Sequence, residues 1–149
     1  MSLLRNLSLG VIGLALVTPA SAATVSCPTL ASGDLFKVPK QSAVYVVNDR
    51  GERMYFPNSE VYLTWYADYK NVKEISPLCV ENYPLAGGVN YRPGTRLVRA
   101  EFSSKIYALG PGNVRHKLSD PAVAAALYGA KWETLIRTIP EAFILNSTV

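Results

Sequence analysis

The chain carries one histidine and two cysteines, and these three residues bound most of the chemistry open to it. A single His116 excludes zinc sites built from two or three histidines, and with them the H-E-x-x-H helix. His116 stands between Arg115 and Lys117 in a strand-like run and reads as a half-exposed strand position. Proton transfer there would need a serine or cysteine partner and an orienting carboxylate brought up by the fold. Paired-carboxylate hydrolysis needs two carboxyl groups about 5 to 10 Å apart in a cleft. Glu60, Asp68, Glu81 and Glu101 are available, but nothing in their spacing pairs them. Glu60 has an adequate structural reason, because it falls in the first turn of a predicted helix, where the helix dipole favours negative charge. Asn48-Asp-Arg-Gly51 is too short and too poor in carboxylates for a calcium loop and reads as a hairpin turn. Gly87-Gly88 lacks the residues that would make it a phosphate loop. No catalytic residue, metal ligand or cofactor is expected.

Cys27 and Cys79 are the only cysteines, and an exported chain favours their pairing. Closing such a loop stabilises by about 4 kcal/mol in the chain-entropy model. The alternatives are two free thiols, or lipidation at Cys27, where Thr24 stands in place of the expected apolar residue.

Aromatic and basic side chains supply the remaining candidates. Nine tyrosines and two tryptophans offer apolar faces with polar tips, suited either to packing or to stacking on sugar rings. Trp65, Tyr69 and Tyr91 are the aromatic residues expected at the surface, whereas Tyr45, Tyr66, Tyr107 and Tyr128 fall where strands and helices face the core. Arg92, Arg96 and Arg99 are the matching candidates for anionic groups.

Positioning these residues falls to a unit that occurs twice. Leu35, Lys37, Val44, Tyr45, Arg53, Val61 and Tyr66 recur 62 positions later as Leu97, Arg99, Ile106, Tyr107, Arg115, Val123 and Tyr128. A fixed period of this kind points to stacked modules. In the first copy, strands over 34–38, 43–47 and 52–56 precede a break at Pro57 and a cap at Asn58 or Ser59. A helix follows, with Tyr62, Trp65, Tyr66 and Tyr69 on one face. Val72–Ile75 returns as a short strand, and Ser76-Pro77 opens a brief helix carrying Cys79. The second copy repeats the plan with strands over 95–100, 105–109 and 114–118 and a helix from Pro121 to Tyr128, capped by Asp120 and closed by Gly129. Residues 132–136 extend its helical region, and 140–145 form a closing helix. Cys79 aligns with Phe143 and Cys27 falls near Val89, so an apolar pair stands in the second copy where sulfur stands in the first. The breaker-rich run 84–90 joins the copies. The expected fold is α+β: two tandem pseudo-equivalent units, each a β-hairpin plus helix plus short strand, packed as one small domain.

Residues 1–23 read as a signal peptide, with Arg5 before the apolar run Leu7–Val17 and a small-residue cleavage region ending at Ala22 or Ala23. Pro19 stops that run short of the roughly 20 apolar residues of a membrane span, although an uncleaved anchor is the competing reading. Unit 1 then covers 24–88 and unit 2 covers 89–149. The segment after residue 23 holds 14 Lys and Arg against 11 Asp and Glu, a mild net charge of +3 with no basic block. Nucleic acid is therefore not an expected partner.

The strings Gly33-Asp-Leu-Phe-Lys-Val-Pro39, Ser42-Ala-Val-Tyr45, Tyr55-Phe-Pro-Asn58, Tyr91-Arg-Pro-Gly-Thr-Arg-Leu-Val98 and Leu127-Tyr-Gly129 resemble a repeat module of exported and cell-surface bacterial proteins, notably from candidate lineages. The resemblance spans essentially everything after the signal peptide, with Tyr91-Arg-Pro-Gly-Thr95 as its most specific string. It implies a secreted, periplasmic or cell-surface location and carries no established activity. The expectation is a non-enzymatic structural or binding module, with cell-wall polymer, polysaccharide or a surface protein as partner. The alternatives are a lectin-like polysaccharide binder and a small secreted hydrolase or wall-modifying enzyme.

Overall fold

The computed structural model describes residues 26–145; the signal-peptide reading falls on residues outside that span. Unit 1 contributes strands β1 (Leu35–Lys37), β2 (Val44–Val47) and β3 (Arg53–Tyr55), helix α1 (Ser59–Trp65), strand β4 (Lys73–Glu74), helix α2 (Pro77–Val80) and strand β5 (Leu85–Gly88). Unit 2 contributes β6 (Leu97–Ala100), β7 (Ile106–Leu109), β8 (Arg115–Leu118), α3 (Pro121–Tyr128), β9 (Ile136–Ile139) and α4 (Glu141–Leu145). The result is a mixed α+β domain with two sheets, ordered β4-β1-β2-β3-β5 and β8-β7-β6-β9.

The two halves share register as well as order. Leu35 pairs with Val46 and Tyr45 with Tyr55, and 62 residues later Leu97 pairs with Ala108 and Tyr107 with Lys117. In each half the return strand runs parallel to the first strand, Phe36 opposite Lys73 and Val98 opposite Arg137. Arg53 and Arg115, a recurrent pair, each lie over the tyrosine of the neighbouring strand, 5.7 Å from the Tyr45 ring and 5.5 Å from the Tyr107 ring. The Arg53 guanidinium also donates to the carbonyls of Val80 and Tyr83, tying α2 to the sheet.

Local chemistry sets the turns and caps. Asn48 closes the first hairpin, its Oδ1 accepting from the amides of Arg50 and Glu52 at 2.9 Å. Asn58 caps α1 by accepting from the Val61 amide, and Asp120 caps α3 through the Ala122 amide. Three details depart from the sequence reading. The α1 helix ends at Trp65, because Tyr66 is already extended, so Tyr69 lies beyond it. The run 84–90 is more than a join, since Leu85–Gly88 pairs with β3 in parallel. Residues Trp132–Leu135 form a 3-10 turn, and Ile136 opens β9 instead of prolonging a helix.

Sheet 1 is covered on both faces, because adjacent strand residues point to opposite sides. Phe36, Val47, Ile75, Cys79 and Tyr83 pack with Leu30 on the outer face. Cys27 and Cys79 form a disulfide there, with Cα atoms 5.3 Å apart. Leu35, Val44, Phe56, Val61 and Tyr62 face the other way and merge with Val89, Tyr91, Val98 and Leu109 of unit 2 into one core. Val98 and Leu109 occupy the positions of Phe36 and Val47 in the repeat. The inner face of unit 1 therefore receives the outer-type face of unit 2, a head-to-tail arrangement. Phe143, at the position of Cys79, packs edge-on to Tyr55 with ring centres 6.4 Å apart, and shares a small groove with Val89.

Candidate functional site

A cleft of about 780 Å³ opens where the two units and their join meet. Unit 1 supplies Met54, Phe56, Trp65 and Tyr66; the join supplies Gly88 to Pro93; the β7–β8 loop supplies Leu109 to Asn113. That volume lies within the range of small-molecule sites, and its lining of aromatic walls with a few amides is their usual composition. Trp65 sits at the end of α1 with 40% of its surface exposed, and its indole N–H donates to the Asn90 carbonyl at 2.8 Å. That bond holds the ring before any ligand arrives, which lowers the entropy cost of stacking on it. Asn90 donates through Nδ2 to Asn113 Oδ1 at 2.6 Å, linking the join to the unit 2 loop. That loop turns through Gly112 and Asn113 at φ 69° and 62°, a left-handed pair that asparagine and glycine tolerate best.

Beside the cleft, Glu60 on the first turn of α1 gathers three donors. Arg137 Nε reaches its Oε1 at 2.7 Å, Arg96 Nε the same oxygen at 3.1 Å, and the Tyr91 hydroxyl its Oε2 at 3.1 Å. Burial alone would raise the Glu60 pKa, but the hydrogen bonds from Arg137, Arg96 and Tyr91 outweigh it and hold the carboxyl below its ordinary value. The Tyr91 hydroxyl is pushed up, first by burial and then by the adjacent carboxylate.

Of the residues singled out from sequence, Trp65, Tyr91 and Arg92 meet at the cleft. Tyr91 corrects the expectation of an exposed ring: it is 5% exposed and packs into the shared core, where the join must cross between the units. Arg92 is exposed, with its backbone amide donating to Thr64 Oγ1 at 3.0 Å. Tyr69 is exposed but lies elsewhere, stacked on Tyr62 with ring centres 4.2 Å apart. Arg96 is half-buried and committed to Glu60. Arg99 is exposed on β6, where it donates to Thr138 Oγ1 at 3.2 Å. His116 is exposed on β8, its ring over Gly110.

Tyr66, Asn90 and the Glu60 cluster did not stand out from sequence. One available signal was mismatch between the copies. Glu60 corresponds to Ala122 and Asp34 to Arg96, two changes of charge that fall at the junction, while Arg137 keeps the positive charge of Lys73.

Among the described residues, no group of three or more His, Cys, Asp or Glu is placed to hold a metal ion, and no helix is long and apolar enough to cross a membrane. No family model, curated protein or solved structure matches this chain.

Proposed function

We propose that this is an exported, non-enzymatic binding module of the bacterial cell surface or envelope, and that it holds a polysaccharide in the cleft between its two units. The observation that carries the reading is the cleft itself, with the pinned and partly exposed Trp65 beside Tyr66 on one wall and Asn90 and Arg92 on the join. An indole face takes the apolar face of a sugar ring, while amides and a guanidinium take its hydroxyls. The surface location rests on the signal-like start of the chain, the resemblance to exported repeat modules and the Cys27–Cys79 bond. Chemistry on the polymer would need convergent acids, and the residues lining the cleft include a single carboxylate, Asp49, which accepts a hydrogen bond from Ser32.

The test is binding of purified protein to neutral and uronic-acid oligosaccharides by calorimetry, alongside sedimentation with insoluble cell-wall polysaccharide. Trp65→Ala is expected to weaken binding at least about tenfold, the worth of one lost stacking contact. Arg92→Ala should weaken only the acidic ligands, in a salt-dependent way. Saccharide binding unchanged by both substitutions would remove the cleft from the reading.

A further inference from the structure

Unit 1 uses its inner face to hold unit 2, whereas on the corresponding side of unit 2 Leu97 and Ala124 are buried within the unit itself and the outer side of α3 is left exposed. The burial of matched residues shows the difference. Val61 is 4% exposed beneath unit 2, whereas its counterpart Val123 is 48% exposed. Phe56 is buried, and its counterpart Leu118 only half so. Leu127, counterpart of Trp65, is 67% exposed. The helix α3 that bears these residues reads Pro-Ala-Val-Ala-Ala-Ala-Leu-Tyr, without a charged or amide side chain on its outer side. A solvated helix ordinarily has a polar outer face, so this one has the composition of a contact surface.

We infer that this α3 face docks the outer face of unit 1 of a second copy of the same chain, repeating between molecules the head-to-tail contact that joins the units within one. Three observations select that occupant. The internal junction shows which surface such an inner face accepts: an outer-type face carrying Val98, Leu109 and the segment Val89–Tyr91. Unit 1 presents the equivalent side at the other end of the molecule, where Phe36 and Val47 lie beneath its own first segment and Pro28 and Thr29, in the places of Asn90 and Tyr91, are exposed. The charges at the contact change together. At the internal junction Glu60 meets Arg96 and Arg137. At the proposed contact uncharged Ala122 replaces Glu60, and Asp34 with Lys73 replaces the two arginines. Those two already neutralise each other at 2.8 Å, so no charge is left buried without a partner.

The net charges also complement. Unit 1 has six Lys and Arg against seven Asp and Glu, a net of −1, and unit 2 has eight against four, a net of +4. Docking unit 2 of one molecule on unit 1 of the next brings opposite signs together, whereas like units meeting would not. A heterologous contact between two different faces does not close on a two-fold axis. It extends, giving a chain of molecules instead of a dimer.

The experiment uses the full chain after residue 23 with its disulfide formed, studied by sedimentation velocity over a rising concentration series. The expected result is a weight-average mass that climbs past the dimer without a plateau, and less steeply at high salt. Val123→Glu with Leu127→Glu blocks one face, and Thr29→Glu, at the position of the buried Tyr91, blocks the other; all three positions are exposed, so folding should persist and is checked by near-UV circular dichroism. Each variant alone should be monomeric, and an equimolar mixture of the two should form a discrete heterodimer, because one competent face remains on each partner. A wild-type chain that stays monomeric throughout overturns the inference. So does a closed dimer, or a mixture that fails to associate.

Discussion

Arg137 Nε lies 2.7 Å from Glu60 Oε1, joining residues 77 positions apart, and it does so from the strand position that Lys73 fills in the first unit. There Lys73 bridges Asp34 within its own unit, at 2.8 Å. In unit 2 the aspartate has become Arg96, and both arginines turn outward to one carboxylate of the neighbour. Two substitutions thus convert an ion pair that holds a unit together into one that holds two units to each other, and that junction shapes the cleft.

The cluster should be coupled in a double-mutant cycle. Glu60→Gln and Arg137→Gln are each expected to destabilise by about 1 kcal/mol, the scale of a charge-assisted bond at a partly exposed site. The double variant should lose less than their sum by urea unfolding, since each change removes the same contact. Additive losses would mean that the two residues act separately.

Acid should weaken both the Glu60 junction and the Asp34–Lys73 pair. Hydrogen bonds from Lys73 to Asp34 and from Arg137 and Arg96 to Glu60 leave both carboxyls below their ordinary values in the folded protein. Between the ordinary and the lowered value, the unfolded chain holds protons that the folded chain does not, so stability falls as pH falls through that window. Unfolding free energy should therefore be level near neutrality and decline below about pH 4.5, where free carboxylates begin to protonate. Glu60→Gln should start lower at neutrality and decline less steeply, which thermal melts across the acid range would show.

Gly88 should not tolerate a side chain. A Cβ there would stand 2.8 Å from Phe143 Cε1 and 3.1 Å from Tyr55 Cζ, between two rings packed edge to face. Gly88→Ala is expected to cost about 1–3 kcal/mol through overpacking. Adding Phe143→Ala should recover part of that cost, because the smaller residue frees the space. Equal melting temperatures for wild type and Gly88→Ala would show that α4 shifts freely.

Removing the disulfide should cost more than any of these. It closes a loop across 52 positions and ends at Cys79, which is 1% exposed. The chain-entropy model gives about 4 kcal/mol for such a loop. Cys27→Ser with Cys79→Ala, or reduction of the wild type, should lower the unfolding midpoint strongly. Saccharide binding of the molecules still folded should remain, because the cleft walls at Met54, Phe56 and Tyr66 lie on the face of the first sheet opposite the disulfide.

The mixed α+β class with two similar units, the hairpins, the caps and the pairing of Cys27 with Cys79 were legible in the residues alone. They depend on local rules: turn chemistry at Asn48–Gly51, a capping side chain at Asn58 or Asp120, and a period that brings the same types back at the same spacing. The parallel pairing of Leu85–Gly88 escaped, because two glycines signal a break and only the neighbouring strand β3 makes them a ladder. Tyr91 looked exposed because a join usually is, yet it crosses between two apolar faces and is buried there. Glu60 looked like a residue placed for its own helix, when its partners lie 31, 36 and 77 positions away. Sequence by itself determined what each unit is, since a unit is assembled from short-range preferences repeated twice. Which face of one unit meets which face of the other, and therefore where the cleft opens, was decided by tertiary packing, because it depends on charges and apolar surfaces that become neighbours only after both units have formed.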